Sequence, residues 1–231
     1  MKLILRTLLC ILGVLLSNMI AHAQLSTPQV LSSNMVLQQG QKIPVWGTAE
    51  PNESILISFG KQRVKVRANA SGRWMAELKP MAANKNPQQM SIKGKRTSIV
   101  YDNIVVGEVW LCSGQSNMEF MMKEAISGKQ DIPLATNSRI RLFDMKARWR
   151  TNAVEWESTV LDSLNSLQYY KDTKWETVSP QSARDFSAIA YYFGKMLQDS
   201  LKVPVGLICN AVGGSPAEAW IDRNTLEYRF P

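Results

Sequence analysis

The chain has 231 residues, 45% hydrophobic and 20% charged, an ordinary composition for a soluble globular protein with ample material for a core. Its formal charge of +8 falls to +6 without Lys2 and Arg6, and the remaining cations are dispersed apart from short clusters at 61–67 and 93–96. Such dispersion reads as solvated strand and loop faces and argues against a nucleic-acid partner. One histidine, His22, and two cysteines beyond the first 23 residues leave no metal site to expect.

Lys2 and Arg6 precede the apolar run 8–16, and Ala21 and Ala23 place small residues where a signal peptidase needs them. Residues 1–23 therefore read as a secretory signal peptide cleaved near Ala23, too short for a spanning helix. The protein is expected in the periplasm or outside the cell, without stable membrane insertion. Export permits a Cys112–Cys209 disulfide. Buried thiols are favoured, because a bridge between adjacent parallel strands needs unusual geometry.

Residues 24–103 show period-two alternation in short runs: Ile55, Ile57 and Phe59, then Val64 and Val66, then Trp74, Ala76 and Leu78, then Met90 and Ile92. Turn residues at 50–53, 59–61, 69–72 and 84–87 separate them, and the Asn69-Ala-Ser71 sequon marks an exposed turn. The pattern predicts a small N-terminal β-sandwich domain. Trp46 and Trp74 would suit a glycan-binding face, but their spacing favours core packing.

From 104 to 231 strands alternate with helices. A strand at 105–112 leads to a helix starting near Asn117, and a second strand spans 139–145. Polar residues 146–182 predict a long surface excursion. A helix over 186–201, capped by Asp185, presents Phe186, Ile189, Ala190, Phe193, Leu197 and Leu201 on one face. Pro204 then opens a strand at 205–209. Strand, helix, strand, helix implies an α/β fold with a parallel sheet. Three strands with an exposed last edge make a poor independent domain, so the chain reads as the truncated first part of one.

Two strands end in similar turns, Gly114-Gln-Ser116-Asn-Met-Glu119 and Gly213-Gly-Ser215-Pro-Ala-Glu218. Both contain Ser-x-x-Glu, the capping box, and Pro216 fits a first helical position. For Ser215 a cap is favoured. Gly213 and Gly214 allow close backbone approach and, with the adjoining helix N-terminus, suit an oxyanion hole. For Ser116 the residues alone leave cap and nucleophile both open. Met118 replaces the second glycine of the Gly-x-Ser-x-Gly elbow. Ser113 precedes the turn, and Cys112 on a buried strand is expected to be inert.

The block Gly107-Glu-Val-Trp-Leu-Cys-Ser-Gly-Gln-Ser-Asn-Met-Glu119 resembles the first sequence block of the sialate O-acetylesterases, a branch of the SGNH hydrolase superfamily. The similarity extends to 186–194, 203–208 and Gly213-Gly-Ser-Pro-Ala-Glu-Ala-Trp220, and to 31–38, 44–47 and 70–74 in the β region. It implies an SGNH-type, flavodoxin-like parallel sheet, incomplete at the C-terminus. It also implies a serine esterase without cofactor, acting on an O-acetylated sugar such as 9-O-acetyl sialic acid. Acetylated xylan is the alternative substrate, and a non-catalytic glycan-binding protein the alternative class. Carried onto matching residues, Ser116 would be nucleophile and one oxyanion donor, and Gly213 or Gly214 or both would be further donors. Glu218 and Trp220 match family positions and read as cap and packing residues. The family's Asn-containing block and its Asp-x-x-His have no match here, so this chain is expected to lack activity by itself.

Overall fold

The computed structural model describes residues 24–149, 156–166 and 168–229. The signal-peptide reading of 1–23, with His22, lies outside them. The strands are β1 (Val36–Gln38), β2 (Ile43–Thr48), β3 (Ser54–Phe59), β4 (Gln62–Arg67), β5 (Arg73–Leu78), β6 (Asn84–Lys93), β7 (Ser98–Gly114), β8 (Asn137–Asp144), β9 (Trp175–Val178) and β10 (Val205–Ala211). The helices are α1 (Ser116–Glu119), α2 (Gly128–Asp131), α3 (Ser158–Asn165), α4 (Pro180–Arg184), α5 (Ala188–Leu201) and α6 (Arg223–Arg229).

The alternation read in the first part of the chain builds two facing layers. Strands β2 and β5 pair antiparallel, while β4, β3, β6 and β7 form one end of an eight-stranded sheet. Val45, Ile55, Ile57, Leu78, Met90 and Ile92 are fully buried in the apolar core. Trp74 belongs to that core, and Trp46 packs against it, as their spacing indicated. Residues 84–87 are not a turn but the start of β6. The register against β7 shifts between Asn84, Gln88 and Met90, and such an irregularity is where a strand can accommodate Pro87.

Strand β7 is longer than the 105–112 run. Its first half pairs with β6, and its second half pairs parallel with β10 from Glu108 to Gly114. One strand thus carries the chain from the antiparallel layers into the α/β part, crossing position 103/104. Beyond β10 lies β8, also parallel, and then β9, antiparallel, at the edge. The result is an α/β fold on a mixed sheet, with the latest strand inserted between the two earlier parallel ones. Gly107 permits this, because a side-chain carbon there would stand 2.0 Å from Pro204 O.

Two expectations for the second part need correction. The polar stretch 146–182 contains α3, β9 and the start of α4, and Trp175 is 1% exposed within the core, its Nε1 donating to Val30 O at 2.8 Å. The long helix is capped by Ser187, whose Oγ accepts from Ala190 N, while Asp185 is instead paired with Lys123 at 2.8 Å. Its buried residues include Ala190, Tyr191, Gly194 and Gln198, leaving Ile189 and Leu201 about half exposed. The small Gly194 brings α5 onto Leu207 of β10, while Phe186 and Ala190 are buried and Phe193 and Leu197 pack against the core, so the expected face holds except at Ile189 and Leu201.

Arg141 on β8 is 3% exposed and joins three segments. Its Nε donates to Ser138 O and its Nη2 to Asn103 Oδ1, with Nη1 at 3.4 Å from Asn34 O and Asn103 O. Asn34 and Asn103 both have positive φ, 69° and 58°, so the guanidinium holds two left-handed turns in place. Burial lowers its pKa.

Candidate active site

The carboxyl ends of β7, β8 and β10 converge at one rim of the sheet, the position where open α/β sheets place their ligands. At Gly114 the chain turns sharply with φ 153°, backbone that side chains rarely adopt, and a β-carbon there would meet Met118 Cβ at 3.2 Å. The turn delivers Ser116 to the surface as the first residue of α1, solvent-exposed.

Ser116 is not the helix cap. Gln115 is, and its Oε1 lies 3.4 Å from Ser116 N and accepts from the Ser116 hydroxyl at 3.1 Å. Glu119 does not reach back to close a capping box. Its Oε2 instead accepts from Gly213 N at 2.9 Å, tying the two glycine–serine turns together. A side-chain carbon on Gly213 would stand 3.7 Å from Ser116 Cα and 2.4 Å from Glu119 Oε2, so it would displace the Glu119 carboxylate from its place between the two turns.

The second turn also departs from expectation. Ser215 Oγ donates to Val212 O at 2.7 Å and accepts from Trp220 Nε1 at 2.9 Å, so it caps nothing. Trp220 is 37% exposed, tethered to the turn more than packed in a core. Ala217–Trp220 forms a single 3-10 turn with no side-chain cap from Pro216. One short turn supplies little of the dipole field anticipated there, since that field sums over aligned peptides. Of the two glycines, Gly213 has its N–H directed to Glu119, whereas Gly214, at φ 81°, is exposed.

Cys112 and Cys209 are register partners on β7 and β10, and both are free and buried. Burial pushes the Cys112 thiol up to about 11. Burial, reinforced by Asp144, pushes Cys209 up to about 12. Neither can serve as a thiolate at neutral pH. Ser113, on β7, is exposed but ends the strand before the turn.

Beside Gly213 lies a cavity of about 250 Å³ lined by residues following β8 and β10 together with Glu119, Lys171, Asp185 and Ser187. Asp144 and Lys146 pair in its wall at 3.1 Å, and Lys146 Nζ also donates to Asp185 O. Burial raises the Asp144 pKa, and Lys146 pulls it back. Sequence reading missed this cavity, and it missed Gln115 and Glu119 as partners. The Gln115 role was foreshadowed only by a polar side chain immediately before the helix.

The chain is similar to known proteins. Residues 106–229 match the family model described as carbohydrate esterase, sialic acid-specific acetylesterase. Sialate O-acetylesterase of Pongo abelii is 28% identical over 210 residues, covering 85% of this chain and 39% of that protein. That of Homo sapiens is 28% identical over 211 residues, again covering 85% and 39%. The crystal structure of a carbohydrate acetylesterase from Xanthomonas citri aligns with a TM-score of 0.76 at 32% identity, over 88% of this chain and 44% of that one. The chain therefore spans about two fifths of the length of the curated relatives it matches. With more than half of its residues in the family match, the chain belongs to the sialic acid-specific acetylesterase family of carbohydrate esterases.

Proposed function

We propose that this protein is the nucleophile-bearing part of an exported serine esterase that removes acetyl groups from 9-O-acetyl sialic acid. The carrying observation is Ser116: an exposed hydroxyl at the end of a central strand, relieved of capping by Gln115, beside the close-approaching Gly213. In this reading Ser116 Oγ attacks the acetyl carbonyl while a base takes its proton. The sugar hydroxyl leaves with that proton, and water then releases acetate from the acetyl-enzyme. The Ser116 and Gly214 N–H groups stabilise the oxyanion, and Gly213 joins them only when Glu119 releases it.

The base is the missing piece. The chain's one histidine is His22, within the leader that we infer is cleaved. We propose that the base and its orienting acid come from sequence outside this chain, which accords with its coverage of about two fifths of its relatives. Acetate release from 9-O-acetyl sialic acid tests this. The chain alone is expected to give turnover orders of magnitude below a complete triad. Ordinary turnover abolished by Ser116→Ala would refute the missing base, and turnover surviving that substitution would refute the nucleophile.

A further inference from the structure

The cavity beside Gly213 is lined by three cations and three acids: Lys146, Arg148 and Lys171, with Glu119, Asp144 and Asp185. The acids are already engaged, Asp144 by Lys146, Asp185 by Lys123 at 2.8 Å and Glu119 by the Gly213 N–H. Lys146 is held between Asp144 and Asp185 O. The other two cations are different. Arg148 is anchored by Nε on Tyr170 O at 2.9 Å, and its Nη2 stands 3.7 Å from Asp172, whose side chain is 86% exposed. Lys171 forms no ion pair among the described residues, and both cations are exposed to solvent. Trp149 adds an aromatic face to the same wall.

We propose that this cavity is the sugar subsite and that Arg148 and Lys171 bind the carboxylate of an acidic sugar whose acetyl ester reaches Ser116. The inference rests on the acetylesterase reading and gives it a specificity element. A guanidinium fixed along one edge offers its remaining donors in a carboxylate-matching fork, and an adjacent ammonium supplies a second, adaptable charge. A neutral acetylated sugar offers these cations hydroxyl oxygens but no countercharge, so discrimination between sialic acid and xylan would lie in these two side chains.

The test is calorimetric titration of the chain with 9-O-acetyl-N-acetylneuraminic acid, its carboxyl methyl ester and acetylated xylobiose. The free acid is expected to bind about tenfold more tightly than its methyl ester, since the ester removes a charge-assisted contact. Arg148→Ala with Lys171→Ala should erase that difference, and Lys171→Glu should reverse it. All these variants should keep the parent's melting temperature, because both residues are exposed. Equal binding of acid and ester by the parent would overturn the carboxylate assignment and leave the esterase reading intact. Absence of binding by all three sugars would overturn the cavity as the sugar subsite. Carboxylate-selective binding, combined with base-supplemented enzyme that still lacks Ser116-dependent turnover, would support the subsite and refute the esterase.

Discussion

At the scale of single residues, Ser116 differs from an ordinary helix-start serine because the neighbouring Gln115 does the capping. Its hydroxyl therefore donates to Gln115 Oε1 at 3.1 Å instead of accepting from the helix backbone. In an enzyme completed with its base, Ser116→Ala should lower kcat by about 10⁴-fold or more with little change in substrate binding, as expected for a residue acting only in the transition state. Steady-state kinetics with a parallel binding titration would check this. The two buried thiols give a second prediction. Cys112 and Cys209 should resist Ellman's reagent in the native protein at pH 8 and react only in denaturant. Their folded pKa values are raised above the ordinary 9.0, to about 11 and about 12. The associated stability is fully present below the unfolded-state pKa and is lost as pH rises through the folded values. Denaturation midpoints should accordingly fall as pH is raised from 9 towards 11, and a flat profile would rule the linkage out.

At the scale of elements, strands whose side chains alternate between core and solvent were legible in the sequence, and elements defined by tertiary contact were not. Ile55, Ile57 and Phe59 declare β3 by period alone, and Val205 to Cys209 mark most of β10. Strand β9 has only four residues, WETV, and it exists because Trp175 finds the core and β8 finds a partner. The face of α5 was legible in Phe186, Ala190, Phe193 and Leu197, whereas the exposure of Ile189 and Leu201 and the close approach at Gly194 were not. In the site, Ser116 and the glycine pair could be read from their turns, whereas the Glu119–Gly213 bond joins residues 94 positions apart. No local pattern carries that information. Close approach also gives a stability prediction. Gly107→Ala would drive a β-carbon into Pro204 O, backbone against backbone, and should cost about 1–3 kcal/mol in urea unfolding. An unchanged midpoint would mean that the start of β10 yields freely.

At the scale of the whole molecule, the antiparallel layers and the α/β part share a strand and part of a core. Phe143 and Trp175, from β8 and β9, are buried in the same cluster as Val45 and Ile57. Thermal unfolding followed by tryptophan fluorescence and by far-ultraviolet circular dichroism should therefore give coincident transitions, as a single cooperative unit requires. Two separated transitions would show that the parts melt independently. The seventeen residues of β7, about 55 Å when extended, also bear on how such a protein can be rearranged in evolution. A recombination breakpoint within that strand would leave both daughter genes encoding a ragged sheet edge. The N-terminal layers are thus poor material for domain shuffling, and they should be inherited with the Ser116 turn as one cassette.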